Sequence, residues 1–342
     1  MREETASRTL PNILLAPRLE ADARRLLERL RVDGGVHADR NWWQPLTDRE
    51  QKLLTYVLEA YVREAWRDCV GLWGRSPLQK LGRMCPVLFR PDALATRRVE
   101  EALAVLRDLG FEARVTQIVR QSRLTVRELW RYQWNASTLD GIDLLAEINL
   151  SGPSLLVLFE YLDSPVSGLA RLQQIKGSAR HEDRDPASLR ARLGSPNSHF
   201  LLLHAPDEPV DVLREAGILF SRDERRELWA SFDENARGGT VAPTRAALEV
   251  LYAETAHNTL DVRASVDRIW LALGNRSARI PSRPRAALTA LRAGEQAEPI
   301  GWSTLVEGLG PAKDYIPVWD LLVVASALTV EALPDVERII GR

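Results

Sequence analysis

His204 ends an apolar run, Phe200-Leu201-Leu202-Leu203, with Asp207 three residues later and Glu215 eleven later. Imidazole titrates nearest neutrality. It can attack as a nucleophile or take a proton once a carboxylate holds one ring nitrogen. The run reads as a strand that delivers His204 to a cleft. The residues after it read as a helix, Pro209 to Ala216, with Glu215 on its inward face.

Three further patches precede this one in fixed order. They are Val87-Leu88-Phe89-Arg90-Pro91-Asp92-Ala93-Leu94, Ser151-Gly152-Pro153-Ser154-Leu155-Leu156-Val157-Leu158, and Pro186-Ala187-Ser188-Leu189-Arg190. The elements around them follow from apolar spacing and breakers. Strands are expected at Pro86 to Phe89, Phe111 to Arg120 and Leu150 to Glu160. Helices are expected at Arg97 to Leu109, capped by Gly110, at Thr125 to Trp134 and at Val166 to Ile175. Arg180 to Ser188 reads as a polar loop.

Taken together, the four patches resemble a nucleoside diphosphate kinase domain over residues 85–220. The resemblance implies a mixed α/β fold, a ferredoxin-like antiparallel sheet flanked by helices. It casts His204 as the nucleophile that carries a phosphoryl group and Glu215 as its orienting carboxylate. Asp207 matches the turn after the histidine, and Arg190 matches a phosphate-contacting arginine. Elsewhere the match departs. Arg90 stands for a lysine, Trp130 for a tyrosine and Gln173 for a second phosphate arginine. Ala179, Leu201 and Pro206 replace a threonine, an asparagine and a serine. His199 lies near the cleft by sequence. Each lost charge-assisted contact is worth about 1.5–3 kcal/mol, so triphosphate binding is expected to weaken by orders of magnitude.

The expected activity is therefore a divergent phosphotransferase acting through His204 on a nucleotide or another phosphorylated ligand, in a specialised biosynthetic pathway. Mg2+ would accompany a nucleotide, and a homo-oligomer is compatible with the resemblance. Two alternatives stay open: a catalytically inactive pseudo-kinase that binds a ligand or protein, and the same fold with His204 as general base in a non-phosphoryl transfer.

The remainder of the 342 residues sets bounds. Residues 1–80 read as an N-terminal extension, 81–221 as the kinase-like unit and 222–342 as an all-helical region. In the extension, Asn12 to Pro17 and Val36 to Trp43 are expected as strands and Glu20 to Leu30 as a helix. The extension reads as a partial repeat of the βαβ unit, packed on the kinase-like unit by its apolar residues. Thr47 with Glu50 suggests a capping box opening one long helix to Trp73. A net charge of −1 gives no electrostatic reason to expect nucleic acid or an anionic membrane. Cys69 and Cys85 make no disulfide framework, which points to a reducing cytoplasm. Ile316 to Val330 is too short, and carries Asp320, to span a bilayer. Asp233-Glu234-Asn235-Ala236-Arg237-Gly238 matches the opening of an EF-hand loop, but Thr244 stands where its last carboxylate belongs, so no calcium is expected. His181 to Asp185 reads as a solvated loop.

Overall fold

Met84–Phe89 (β1) is buried at all six positions and Ser154–Tyr161 (β3) at seven of eight. Runs without polar alternation form strands covered on both faces. β1 and β3 pair antiparallel at the centre of the sheet. Phe111–Val119 (β2) flanks β3 and Leu203–His204 (β4) flanks β1, also antiparallel. The order β2-β3-β1-β4 is that of a ferredoxin-like sheet, as expected from the sequence. The computed structural model of the chain describes residues 17–31, 43–161, 167–236 and 244–340.

Seventeen helices surround the sheet among the described residues. Before β1 lie α1 (Pro17–Arg29), α2 (Glu50–Val57), α3 (Ala60–Trp73) and α4 (Pro77–Arg83). Between strands lie α5 (Pro91–Ala95), α6 (Val99–Asp108), α7 (Arg123–Leu129), α8 (Leu139–Leu150), α9 (Gly168–Lys176) and α10 (Leu189–Arg192). After β4 come α11 (Pro209–Leu219), α12 (Arg222–Ala236), α13 (Thr244–Glu254) and α14 (Val262–Leu273). The last are α15 (Ser282–Ala293), α16 (Trp302–Leu309) and α17 (Val318–Leu328). None is long and apolar enough to cross a membrane.

The single helix expected from Thr47 to Trp73 is two. Glu59 is extended between α2 and α3, at φ −78° and ψ 145°. Its carboxylate accepts from Arg214 and Tyr132, contacts a continuous helix would not place there. The capping box also fails: α2 begins at Glu50 with Arg49 as its N-cap and no side-chain capping bond, and the Thr47 hydroxyl accepts from Arg49 N at 3.0 Å while donating to Glu208 at 2.7 Å. The expected strands before α2 lie outside the described residues, apart from Pro17, which opens α1, and Trp43. α1 buries Ala23 and Leu27 and packs on α2. α8 and α16 were not foreseen. α8 touches α5, α7, α16 and α17, so its apolar residues are spread around the axis and leave no helical stripe to read.

One apolar cluster takes residues from all three stretches of the chain. α12 lies against α3 and β2. There Arg225, itself buried, pairs with Asp68 at 2.6 Å. α17 packs on α14, where Asp320 accepts from Arg268 and Asn258. Asp233, from the EF-hand-like stretch, is paired with Lys80. Residues 237–243 of that stretch lie outside the described residues.

Residues 331–340 form a strap along the turn after α7. Thr138 N donates to Glu331 O at 2.9 Å and Leu333 N to Ala136 O at 2.8 Å. Ala332 and Ser137 form an isolated antiparallel bridge. Further on, Ile340 N donates to Tyr132 O at 3.3 Å.

Candidate active site

The strand expected at Phe200 to His204 shrinks to two residues because of a tight turn before it. Leu203 N donates to Leu201 O at 2.7 Å, closing a γ-turn around Leu202, whose φ is +64°. A left-handed leucine is disfavoured by roughly 1–3 kcal/mol and persists only when its surroundings hold it. Here they do. Leu202 N donates to the buried Asp92 carboxylate at 2.9 Å, and Arg90 N donates to Leu202 O at 2.9 Å. The turn places His204 opposite Leu88 at the edge of the sheet.

His204 Nε2 lies 2.8 Å from Glu215 Oε1 on α11. Their side chains are 19% and 17% exposed, enough for a small ligand to reach them. Nδ1 makes no hydrogen bond among the described residues. With the carboxylate on Nε2, the proton is fixed there and the Nδ1 lone pair is left for chemistry. Trp130, at the end of α7, stands edge-on to the imidazole, with ring centroids 5.5 Å apart and planes at 79°. Behind Glu215 lies a small apolar cavity of about 30 Å³ lined by Leu156, Leu158, Val212 and Trp229.

A cleft of about 130 Å³ opens over this pair. Of the residues singled out in the sequence, His204, Glu215, Arg190, Asp207 and Trp130 line it, as do Ala179 and Leu201. Arg90, Gln173 and His199 do not. Arg90 is buried; it donates to His199 O at 2.9 Å and faces Asp92 at 3.3 Å. It braces the γ-turn from inside the protein. Gln173 donates to Pro206 O and ties α9 to the loop after His204. Arg190 reaches the cleft wall, yet its guanidinium donates to Gly177 O and Leu203 O. Gly177 serves this arrangement: its φ is +89°, and a Cβ there would lie 2.4 Å from Ser188 Oγ.

Burial, then the charge of Arg90, lowers the His199 imidazole to about 4 from an ordinary 6.5. A base depressed in the folded state leaves the unfolded chain holding more protons between those values. Stability is therefore intact above pH 6.5 and falls as pH drops toward 4. The loss attributable to this group is about 3 kcal/mol. A His199→Gln chain should show a correspondingly shallower loss in denaturant titrations across that window. Parallel curves would mean that His199 is not held neutral.

Several cleft residues were not legible as such. Arg49, Lys52 and Tyr56 come from the N-terminal segment and Arg214 from α11. Lys52, buried, donates to Glu208 at 2.6 Å and Asp211 at 2.5 Å. Tyr56 donates its hydroxyl to Asp211 at 3.1 Å. Burial pushes the Asp211 carboxyl up despite the charge of Lys52. Burial also works to raise Glu208, but bonds from Lys52, Thr47 and Arg49 outweigh it and hold that carboxyl below its usual value. Lys176, at the end of α9, donates to Ala205 O and Asp207. One signal was available: the chain writes all but four of its cations as arginine, and two of those four lysines are buried at this cleft.

Among the described residues, no three His, Cys, Asp or Glu side chains come together as a metal site. The cleft carboxylates Asp207, Asp211 and Glu215 are engaged by Lys176, Lys52 and His204. A Mg2+ arriving with a phosphorylated ligand would be held by the ligand's own oxygens and by water.

No family model matches the chain, and no curated protein matches it. Among solved structures, it is similar to the nucleoside diphosphate kinase of Aquifex aeolicus, at 22% identity and a TM-score of 0.35. That match covers 41% of this chain and 95% of the other. The nucleoside diphosphate kinase of Encephalitozoon cuniculi is similar at 12% identity and a TM-score of 0.35, covering 40% of this chain and 87% of the other.

Proposed function

We propose that the chain is a histidine-dependent phosphotransferase acting on a small phosphorylated ligand. The observation that carries this reading is the His204–Glu215 pair at 2.8 Å, with Nδ1 unengaged in a cleft that lysine and arginine side chains line. In the proposed step the Nδ1 lone pair attacks phosphorus, an N–P bond forms, and the bond from phosphorus to the leaving oxygen breaks. The leaving oxygen departs with the bonding electrons and takes up a proton from water. Positive charge developing on the ring is met by the Glu215 carboxylate.

The size of the cleft argues against a whole nucleoside triphosphate. About 130 Å³ is below the roughly 300–1,000 Å³ of pockets that enclose drug-sized ligands. Arg90 and Arg190, the two arginines expected to meet phosphate, are bonded to main-chain carbonyls. Trp130 has no hydroxyl to offer. Transfer from ATP to GDP should accordingly be slow or absent. A small donor such as acetyl phosphate should label His204, read as a phosphohistidine in the mass spectrum of its peptide. Rapid ATP-to-GDP exchange would overturn the size argument. Failure of acetyl phosphate, ATP and GTP alike to label His204 would overturn the transferase reading.

The engagement of Arg90 and Arg190 favours a second reading, a ligand-binding module without phosphoryl transfer. It predicts anion binding at the cleft with no covalent label.

A further inference from the structure

Six cationic side chains line the cleft: Arg49, Lys52, Lys176, Arg190, Arg214 and Arg338. Five are already committed. Arg49 and Lys52 meet Glu208, Lys176 meets Asp207, and Arg190 meets main-chain carbonyls. Arg214 meets Glu59 and the carbonyls of Glu128 and Leu129. A guanidinium or ammonium so engaged gives little to an incoming anion without breaking a bond first. Arg338 differs. It makes no hydrogen bond and no ion pair among the described residues, and it is exposed. The field of Glu331, further back on the strap, reaches it, but the two form no ion pair.

The strap aims this residue. Asn135 donates its amide to Glu337 O at 2.7 Å and accepts from Ile339 N at 3.1 Å. One side chain thus grips the main chain on both sides of residue 338. Arg338 and Ile340, two apart, both face the cleft, while Ile339 between them is 42% exposed. This is the alternation of an extended segment. Asn135 itself lies in the turn that follows Trp130, and Trp130 stands against His204.

We propose that Arg338 is the anion-recognition residue of this cleft, brought by the strap to bind a phosphate group presented to His204. The proposal rests on the phosphotransferase reading only in expecting a phosphate group there. Arginine offers a fork of donors that matches two phosphate oxygens at once, which none of the committed cations can do without rearrangement.

The test uses the full chain with inorganic phosphate and pyrophosphate as probes. Diethyl pyrocarbonate modifies accessible imidazoles, and mass spectrometry follows the His204 peptide. Phosphate should slow that modification, with a half-effect concentration that rises at least about tenfold in Arg338→Ala, the loss expected of one charge-assisted contact. Arg338→Lys should fall between. Melting temperatures should change little, since Arg338 makes no hydrogen bond or ion pair among the described residues. An unchanged half-effect concentration in Arg338→Ala overturns the proposal, and so does the absence of any protection in the parent. Arg338-dependent protection without phosphohistidine from any donor upholds this proposal and sinks the transferase reading. Equal phosphohistidine yields in parent and Arg338→Ala sink this proposal alone.

Discussion

A Glu215→Gln chain should form phosphohistidine at His204 about a hundredfold more slowly than the parent. The glutamine carbonyl can still accept from Nε2, so the ring keeps its place. What is lost is the negative charge that faces the imidazole as its other nitrogen bonds to phosphorus. Glu215 lines both the cleft and the apolar cavity behind it. On that apolar side its charge is less screened than at an open surface. The rate is read by acid-free quenching and mass spectrometry of the His204 peptide. His204→Ala should give no label there at all. If Glu215→Gln and the parent label at the same rate, Glu215 only fills space.

The second large effect is on stability. Lys52→Met should destabilise the chain by about 3–5 kcal/mol at pH 7, because it leaves two carboxylates facing each other without their shared cation. Glu208 and Asp211 both lie within 2.6 Å of the Lys52 ammonium, and Lys52 is only 4% exposed. The sign of the pH dependence follows from Asp211. Its carboxyl is already pushed above 3.8 by burial, and removing Lys52 pushes it further. A group raised in the folded state contributes stability below its unfolded value and loses it as pH rises through the folded one. The deficit of Lys52→Met relative to the parent should therefore be largest near neutrality and shrink toward pH 4. Denaturant titrations at both pH values check this. A deficit that grows on acidification would mean that Asp211 stays ionised without its partner.

The central strands were legible because β1 and β3 are apolar at nearly every position and are bounded by proline or glycine patches. The spacing from His204 to Glu215 was legible because it is short: one strand end, one turn, one helix. The rest of the site depends on contacts between distant stretches. Lys52 and Asp211 are 159 positions apart, and nothing local to Lys52 marks it as a cleft residue. Thr47 and Glu50 carry a valid capping pattern, yet α2 starts two residues later than that pattern implies, with Arg49 as its N-cap, and Thr47 joins its local bond from Arg49 N to a tertiary one to Glu208. Arg90 and Arg190 were assigned by type, and type does not say whether a guanidinium faces a ligand or a carbonyl. Leu202 gave no warning of its left-handed turn, because only Asp92, 110 positions away, makes that turn tolerable.

The cleft draws its walls from residue 49 and from residues 338 and 340, so nearly the whole chain length separates them. On a ribosome the sheet and His204 emerge well before the strap does. A nascent chain released after α17 would carry His204 and Glu215 but not Arg338. The pocket over the histidine therefore takes its final shape only after residues 338 and 340 have emerged and docked. Fragments from interrupted translation or from clipping before residue 331 would leave that histidine more open to water and to adventitious electrophiles than it is in the finished protein.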